Sequence, residues 1–163
     1  MASFIARELD AAKRLETGAG LATLAPFDGS NKFTDVPAGN AHLEAINRLA
    51  RAGIALGGPG GRPNREFGPD IPVTRAQMAS FLNRGNRSLT GVTLTSTTDR
   101  FSDDDGDPHE ANINGIAAAG ITVGDGYRSY DPHRIVTRGQ MAAFLVRHLV
   151  RLEATGYIRA LAP

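Results

Sequence analysis

The stretch VTRAQMASFL at residues 73–82 recurs as VTRGQMAAFL at residues 136–145, and a shorter form, MASFI, stands at residues 1–5. In both long copies a threonine is followed three residues later by a glutamine, which is the pattern of a capping box at a helix start. These pairs are Thr74 with Gln77 and Thr137 with Gln140. Methionine, phenylalanine and an aliphatic residue then occupy positions i, i+3 and i+4 of one helix face. The three stretches therefore predict three copies of one amphipathic helix.

A longer unit repeats around these helices. FTDV at residues 33–36 corresponds to FSDD at residues 101–104, and HLEAINRLARAGI at 42–54 corresponds to HEANINGIAAAGI at 109–121. A matched order of motifs with one length change in a loop is typical of an internal repeat. The predicted parts are the last helix of a truncated first repeat with its connector at residues 1–26, a complete repeat at 33–84, and another with a long C-terminal helix at 101–163.

Each complete repeat also carries signals for a first helix. Asn40 and Asp107 are predicted as the N-caps, and Glu110 is predicted to complete a capping box in the second copy. Gly53 and Gly120 are predicted to end these helices in the left-handed conformation. Glycine-rich loops follow at residues 57–61 and 124–126. They lack the Lys-Ser/Thr ending of a phosphate-binding loop, so we interpret them as connections.

The composition is that of a soluble globular chain and argues against several classes of function. A formal net charge of +1 over 163 residues gives no electrostatic basis for binding nucleic acid or an acidic membrane. No apolar run approaches the length of a membrane span, and the lack of cysteine excludes disulfides and a cysteine nucleophile. No signal peptide is visible. Because Met1 corresponds to a methionine inside the repeat, we interpret the chain as a fragment or processed form of a longer protein.

The order of the motifs resembles the S-layer homology module. An aromatic-x-Asp segment is followed by an Ile-x-x-aliphatic-x-x-x-Gly-Ile helix, an aromatic-x-Pro turn and the Thr-Arg-x-Gln-Met-Ala helix start. The resemblance covers nearly all of the chain, as two full copies and the last helix of a preceding one. Its Thr-Arg-x-Gln variant is similar to modules of high-GC Gram-positive bacteria.

The resemblance implies an all-α fold, a pseudo-threefold spindle. In such a spindle the second helices form a central three-helix bundle, and the first helices with their loops form outward prongs. The implied function is non-catalytic and extracellular. Modules of this kind hold exported proteins on the bacterial cell wall by binding a secondary cell-wall polysaccharide, often one with a pyruvate ketal, in grooves between modules.

The arginine of the Thr-Arg motif contacts the acidic sugar in that family, which assigns this role to Arg75 and Arg138. Each lies at the first helical position, where free amides and the helix dipole favour an anion and a guanidinium can bind a carboxylate. The alternative is an internal salt bridge to Asp35 or Asp103, which would lock the prong to the spindle. The predicted ligand-binding residues are Arg75, Arg138, Thr74, Thr137, Gln77, Gln140, Asp35 and Asp103.

The remaining polar residues predict neither catalysis nor a cofactor. The acidic residues within 103–110 could hold Ca²⁺ through their oxygens, but the aligned residues 35–40 keep almost none of them, so we predict no metal. His42 and His109 are equivalent residues of two repeats and are predicted to lie apart at helix starts. No Ser-His-Asp set and no paired carboxylates recur in both copies, so no enzymatic activity is predicted.

Two further pairs of equivalent residues have predicted roles. Asn47 and Asn114 interrupt apolar helix faces and are predicted to bond a loop backbone. Phe67 and Tyr130 are predicted to anchor loops in the core, with stacking on a sugar as the alternative.

Taken together, these features predict a cell-surface domain that binds an acidic cell-wall polysaccharide and anchors a surface protein. The alternative is a structural module that assembles into a homo-oligomer, in which a neighbouring chain completes the truncated repeat. Neither interpretation involves nucleic acid, a membrane span or a cofactor.

Overall fold

A computed structural model describes residues 1–58, 65–124 and 127–159, and this part of the chain is all-helical. The helices are α1 (Ala2–Arg14), α2 (Leu43–Arg51), α3 (Arg75–Thr90), α4 (Glu110–Ala118) and α5 (Arg138–Ala154). Among the described residues there is no strand, and β pairing is limited to two isolated bridges. The predicted all-α fold class is confirmed.

Helices α3 and α5 begin at the predicted capping boxes. In α3 the Gln77 amide donates to the Thr74 hydroxyl at 3.2 Å, and the Thr74 amide donates to the Gln77 side chain at 3.0 Å. Thr137 and Gln140 make the same two bonds at the same distances. Each such cap contributes about 1 kcal/mol, so local sequence sets where both helices start.

The predicted caps of α2 and α4 are wrong in detail. The N-cap residues are His42 and His109, and neither makes a side-chain cap bond. Asn40 and Asp107 lie two residues earlier, where their side chains accept from the amides of His42 and His109 at 2.8 and 2.7 Å. This geometry is an Asx turn, in which a short polar side chain bonds the backbone two residues on and directs the chain into the helix.

Glu110 does not complete a capping box, because its carboxylate accepts from the amide of Gly106 at 2.9 Å instead. The ends of these first helices are as predicted. Gly53 and Gly120 have φ angles of 69° and 75°, in the left-handed region that glycine occupies without strain.

The apolar faces of α1, α3 and α5 contribute to one core. Fully buried residues on these helices are Ile5, Leu9, Met78, Leu82 and Leu152. Phe4 is 43% exposed, so the predicted apolar face of α1 is wrong at that position. Helix α2 packs on α1, and α4 packs on α3. Each first helix therefore lies against the long helix that precedes it in the chain.

A buried polar junction lies between the three long helices. His148 of α5 has its Nδ1 2.9 Å from Glu8 Oε1 of α1, although these atoms are not aligned for a hydrogen bond. Its Nε2 lies 3.2 Å from Asn86 Oδ1 of α3. All three side chains are buried. The junction shows that α1, α3 and α5 converge, while the pseudo-threefold symmetry stays a prediction.

The segments that leave α1 and α5 pair with each other. The Thr17 amide donates to the Tyr157 carbonyl at 3.2 Å, and the Arg159 amide donates to the Leu15 carbonyl at 2.9 Å. Residues 160–163 and most of the two glycine-rich loops, at 59–61 and 125–126, lie outside the described part of the chain.

Candidate functional site

The start of α3 is covered by a turn of the second repeat. The amides of Arg75 and Ala76 donate to the carbonyl oxygens of Arg134 and Pro132, at 2.8 and 2.9 Å. The amide of the next residue, Gln77, donates to the Thr74 hydroxyl in the capping box. The expectation of free amides that attract an anion is therefore wrong for α3, and an anion there must be bound by side chains.

The Arg75 side chain is held against this turn. Its Nε donates to the carbonyl oxygen of Tyr130 at 2.7 Å. Its guanidinium carbon lies 4.5 Å from the centre of the Tyr130 ring and 5.7 Å from that of Phe144. The terminal nitrogens of Arg75 have no hydrogen bond or ion pair with any described residue. The side chain is half-buried, so a fixed cation with unused donors lies at the junction of the two repeats.

Tyr130 forms the base of this site. Its ring is 1% exposed and lies 5.3 Å from the ring of Phe101. Its hydroxyl donates to the backbone carbonyl of Arg75 at 3.0 Å. Burial raises the pKa of Tyr130 well above its usual value of 10, against the opposing effect of the Arg75 charge. Tyr130 is therefore a protonated donor and a core anchor, which confirms that prediction over sugar stacking.

Arg138, the equivalent of Arg75 on α5, has different surroundings. It is exposed, and its guanidinium has no partner among the described residues. No carbonyl oxygen of the described chain accepts from the amides of Arg138 or Gly139. The start of α5 thus keeps the free amides expected at a helix N-terminus, whereas the start of α3 does not.

Asp35 and Asp103 each hold the aromatic-x-Pro turn of their own repeat. Asp35 accepts from the amides of residues 67–68 at 2.7 and 2.6 Å, and Asp103 accepts from those of residues 130–131 at 2.7 and 2.8 Å. Burial acts to raise the pKa of Asp103, but these amides and the Ser129 hydroxyl together lower it below 3.8. Neither carboxylate pairs with an arginine in the described chain, so the salt-bridge alternative is wrong there.

The two equivalent histidines join repeats, a role that the sequence analysis missed. Ser3 Oγ of α1 lies 2.9 Å from His42 Nδ1, and Ser80 Oγ of α3 lies 2.7 Å from His109 Nδ1. Burial lowers the pKa of His109 below its usual 6.5, which favours the neutral ring that can share a proton with a hydroxyl. The sequence holds a signal for this role. Serine occupies this position in α1 and α3, each of which precedes a repeat with the histidine, whereas α5 has Ala143 there.

Each complete repeat thus docks its first helix on the long helix before it and closes its turn with one aspartate. The family model of the S-layer homology domain matches residues 32–79 and 100–142, more than half of the chain. The chain belongs to the S-layer homology domain family. Each matched segment contains one turn-holding aspartate and one arginine of the Thr-Arg motif, so the aspartate and the arginine lie in both modules.

A relative of the chain is a cell surface protein from Thermoanaerobacter kivui. The two are 34% identical over 127 residues, which is 76% of this chain and 16% of that protein. This chain therefore matches only a small part of the relative.

S-layer homology domains are non-catalytic domains that anchor surface proteins to the cell wall, and membership of the family places the chain at the cell surface. In the described part of the chain, every helix is too short or too polar to cross a membrane.

The acidic segment of the second module has one unusual member. Asp107 and Glu110 accept backbone amides of their own loop. Asp104 is 0% exposed, and neither of its carboxylate oxygens has a hydrogen-bond partner among the described residues. Burial, with the negative charges of Asp99 and Glu110, raises the pKa of Asp104 to about 6. A buried carboxylate with no donor is costly for a fold.

Proposed function

We propose that this chain anchors a surface protein to the cell wall by binding an acidic secondary cell-wall polysaccharide at Arg75. The observation that supports this most strongly is the state of the Arg75 guanidinium. It is held through Nε and over the Tyr130 ring, while its terminal nitrogens have no partner in the described chain. A carboxylate on the polymer, such as that of a pyruvate ketal, has two oxygens that fit this fork.

The preorganisation of Arg75 makes it the stronger of the two arginine sites. Ordering a free, rotamer-rich side chain at an interface costs about 0.5–1.5 kcal/mol. Arg75 has already lost most of that freedom, whereas the exposed Arg138 has not. We infer that Arg75 is the primary contact and that Arg138 is a weaker one, which the free amides at the start of α5 assist.

The other predicted ligand-binding residues fix the backbone around the two arginines. The capping boxes fix the helix starts that carry the arginines, and the aspartates fix the turns. These supporting residues are Thr74, Gln77, Thr137, Gln140, Asp35 and Asp103. We infer that they position the site and do not themselves contact the polymer.

We also propose that α1 is the last helix of a preceding module. Ser3 contacts His42 in the same way as Ser80 contacts His109. Helix α1 therefore has the same position relative to the module at residues 33–84 as α3 has relative to the module at residues 101–163. This arrangement supports a series of modules in which each first helix packs on the last helix of the module before it.

Calorimetric titration with purified secondary wall polymer tests the site. Arg75→Ala removes charge-assisted hydrogen bonds worth about 1.5–3 kcal/mol, so the Kd should rise about 10- to 100-fold. Arg75→Lys keeps the charge without the fork and should give an intermediate Kd. The matched control is Arg87→Ala, an exposed arginine on the same helix, about 18 Å along its axis. This control should bind like the wild type.

An equal loss of affinity in Arg75→Ala and Arg87→Ala would show that binding follows net charge, and it would contradict the proposed site. Arg138→Ala should weaken binding less than Arg75→Ala, with Arg147→Ala as its exposed control on α5. A larger effect of Arg138→Ala would reverse the ranking of the two sites.

A further inference from the structure

The unpartnered carboxylate of Asp104 lies in a cluster of acids. One carboxylate oxygen from each of Asp99, Asp104 and Asp105 lies within 4.8 Å of the other two. Asp104 is fully buried, while Asp99 and Asp105 are exposed. Among the described residues no lysine or arginine forms an ion pair with any of the three. Three carboxylates thus converge on one point at the surface of the second module without a protein cation.

The first module provides an internal comparison for Asp99. There the equivalent residue is Asn31, whose Oδ1 accepts from the Phe33 amide at 3.2 Å. Asp99 Oδ1 accepts from the Phe101 amide at 3.4 Å in the same way. Asn47 donates to the Asn31 oxygen, and Asn114 donates to the Asp99 oxygen. The two asparagines are equivalent, because they end the aligned segments HLEAIN and HEANIN. Asp99 and Asn31 therefore occupy the same structural position.

The same comparison shows what Asp104 replaces. Its equivalent is Val36, an apolar side chain that is 2% exposed in the core of the first module. Asn31 donates its amide nitrogen to the Val36 carbonyl oxygen at 2.6 Å. Asp99 has no amide hydrogen with which to make this bond. The second module thus has two carboxylates where the first has an amide donor and a valine.

We propose that the second module binds a calcium ion through Asp99, Asp104 and Asp105. The cation would supply the positive charge that the buried Asp104 lacks and would take the place of the Asn31 amide group. Calcium is the metal that suits this donor set, because it accepts six to eight oxygen ligands in flexible geometry. Magnesium requires a near-ideal octahedron, and zinc prefers nitrogen and sulfur ligands, which the cluster does not offer.

The surroundings of the cluster are open to a hydrated ion. Asp99 also lines a groove of about 410 Å³, together with Asp107, Glu110 and Asn114. Water and backbone carbonyls can complete the coordination of calcium on this side. Three carboxylates at a partly exposed site suit the weak calcium affinities of extracellular modules, with a Kd of about 10⁻⁴ to 10⁻³ M.

The test is calcium titration of the full chain, followed by calorimetry and by thermal unfolding. The wild type should bind one Ca²⁺ saturably, and its Tm should rise with calcium concentration because the ion binds only the folded state. The key variant is Asp99→Asn with Asp104→Val, which introduces the residues of the first module. It should lose calcium binding, and its Tm without calcium should exceed that of the wild type.

Two controls keep the result interpretable. Glu66→Gln with Asp70→Asn removes the same number of charges from exposed positions of the first module and should bind calcium like the wild type. Asp99→Asn alone is nearly isosteric, so it keeps the fold if the double variant does not, and it should weaken calcium binding at least tenfold.

Three results would overturn the proposal. In the first, the wild type shows no heat of binding and no change in Tm with 10 mM CaCl₂. In the second, the double variant binds calcium like the wild type. In the third, MgCl₂ raises the Tm of the wild type as much as CaCl₂ does. The test does not involve the polysaccharide, so its outcome is independent of the function proposed for Arg75.

Discussion

Gly115 of α4 is the position where one added methyl group should most disturb the packing of the second module. A Cβ atom there would overlap the carbonyl oxygen of Leu94 and lie 2.9 Å from its carbonyl carbon. It would also lie 3.3 Å from the side-chain nitrogen of Asn83. Leu94 is held to Asn83 by two hydrogen bonds, of 2.9 and 2.8 Å. The Gly115→Ala substitution therefore pushes the Leu94 carbonyl away from α4 and strains the bonds between Leu94 and Asn83.

The size of the effect follows from three contributions. Overpacking against backbone costs about 1–3 kcal/mol. The two bonds between Asn83 and Leu94 contribute about 1 kcal/mol each and are weakened together. Alanine gains about 1 kcal/mol over glycine from helix propensity. With both bonds lost, we expect the free energy of unfolding of Gly115→Ala to fall by about 2–4 kcal/mol, which lowers Tm by about 4–16 °C for a domain of this size.

Urea and thermal denaturation of three alanine variants measure this effect with matched controls. Gly139 of α5 has no atom within 4 Å of an added Cβ, and Gly85 of α3 meets only methyl groups of Leu9 at 3.7 and 3.8 Å. Both variants should keep or raise Tm, because they gain propensity without a clash. If Gly115→Ala proves as stable as Gly139→Ala, the close packing of α4 on the connector is wrong.

Two further predictions concern the junction of the repeats. The unfolded chain protonates His109 more readily than the folded chain does, so the stability due to this residue is present above pH 6.5 and is lost as the pH falls. Asp104, whose pKa is raised to about 6, has the opposite effect on stability in this range. From pH 7 to pH 5 the Tm of the wild type should therefore fall relative to the Tm of His109→Gln. An identical slope in the variant would exclude His109 as the cause. Tyr130→Phe removes one hydrogen bond to Arg75, so Tm should fall by about 2–4 °C while polymer binding is retained through the ring beneath the guanidinium. A loss of binding as large as that of Arg75→Ala would instead assign the recognition to the hydroxyl.

The starts of α3 and α5 and the ends of α2 and α4 could be predicted because their chemistry is local. A threonine and a glutamine three residues apart satisfy each other's backbone amides wherever they occur, and both capping boxes formed as expected. Gly53 and Gly120 ended their helices for a similar reason, since a left-handed residue favours glycine. The order of these signals sufficed to predict the fold class and the family.

The surroundings of the site could not be predicted, because they depend on distant parts of the chain. Arg75 is held by Tyr130, 55 residues away, and the turn that carries Tyr130 also takes the amides expected to be free. The burial of Asp104 was missed because an acidic run in a loop is usually exposed. Its alignment with Val36 was the available clue, since an equivalent position in the other repeat is apolar.

The most direct test of the anchoring function is sedimentation of the purified chain with cell-wall sacculi, before and after acid removes the secondary polymer. The chain should sediment with intact sacculi and stay in the supernatant with stripped ones. Arg75→Ala should stay largely in the supernatant with both. Equal sedimentation with intact and stripped sacculi, or none with either, would contradict the proposal that the chain anchors through the secondary polysaccharide.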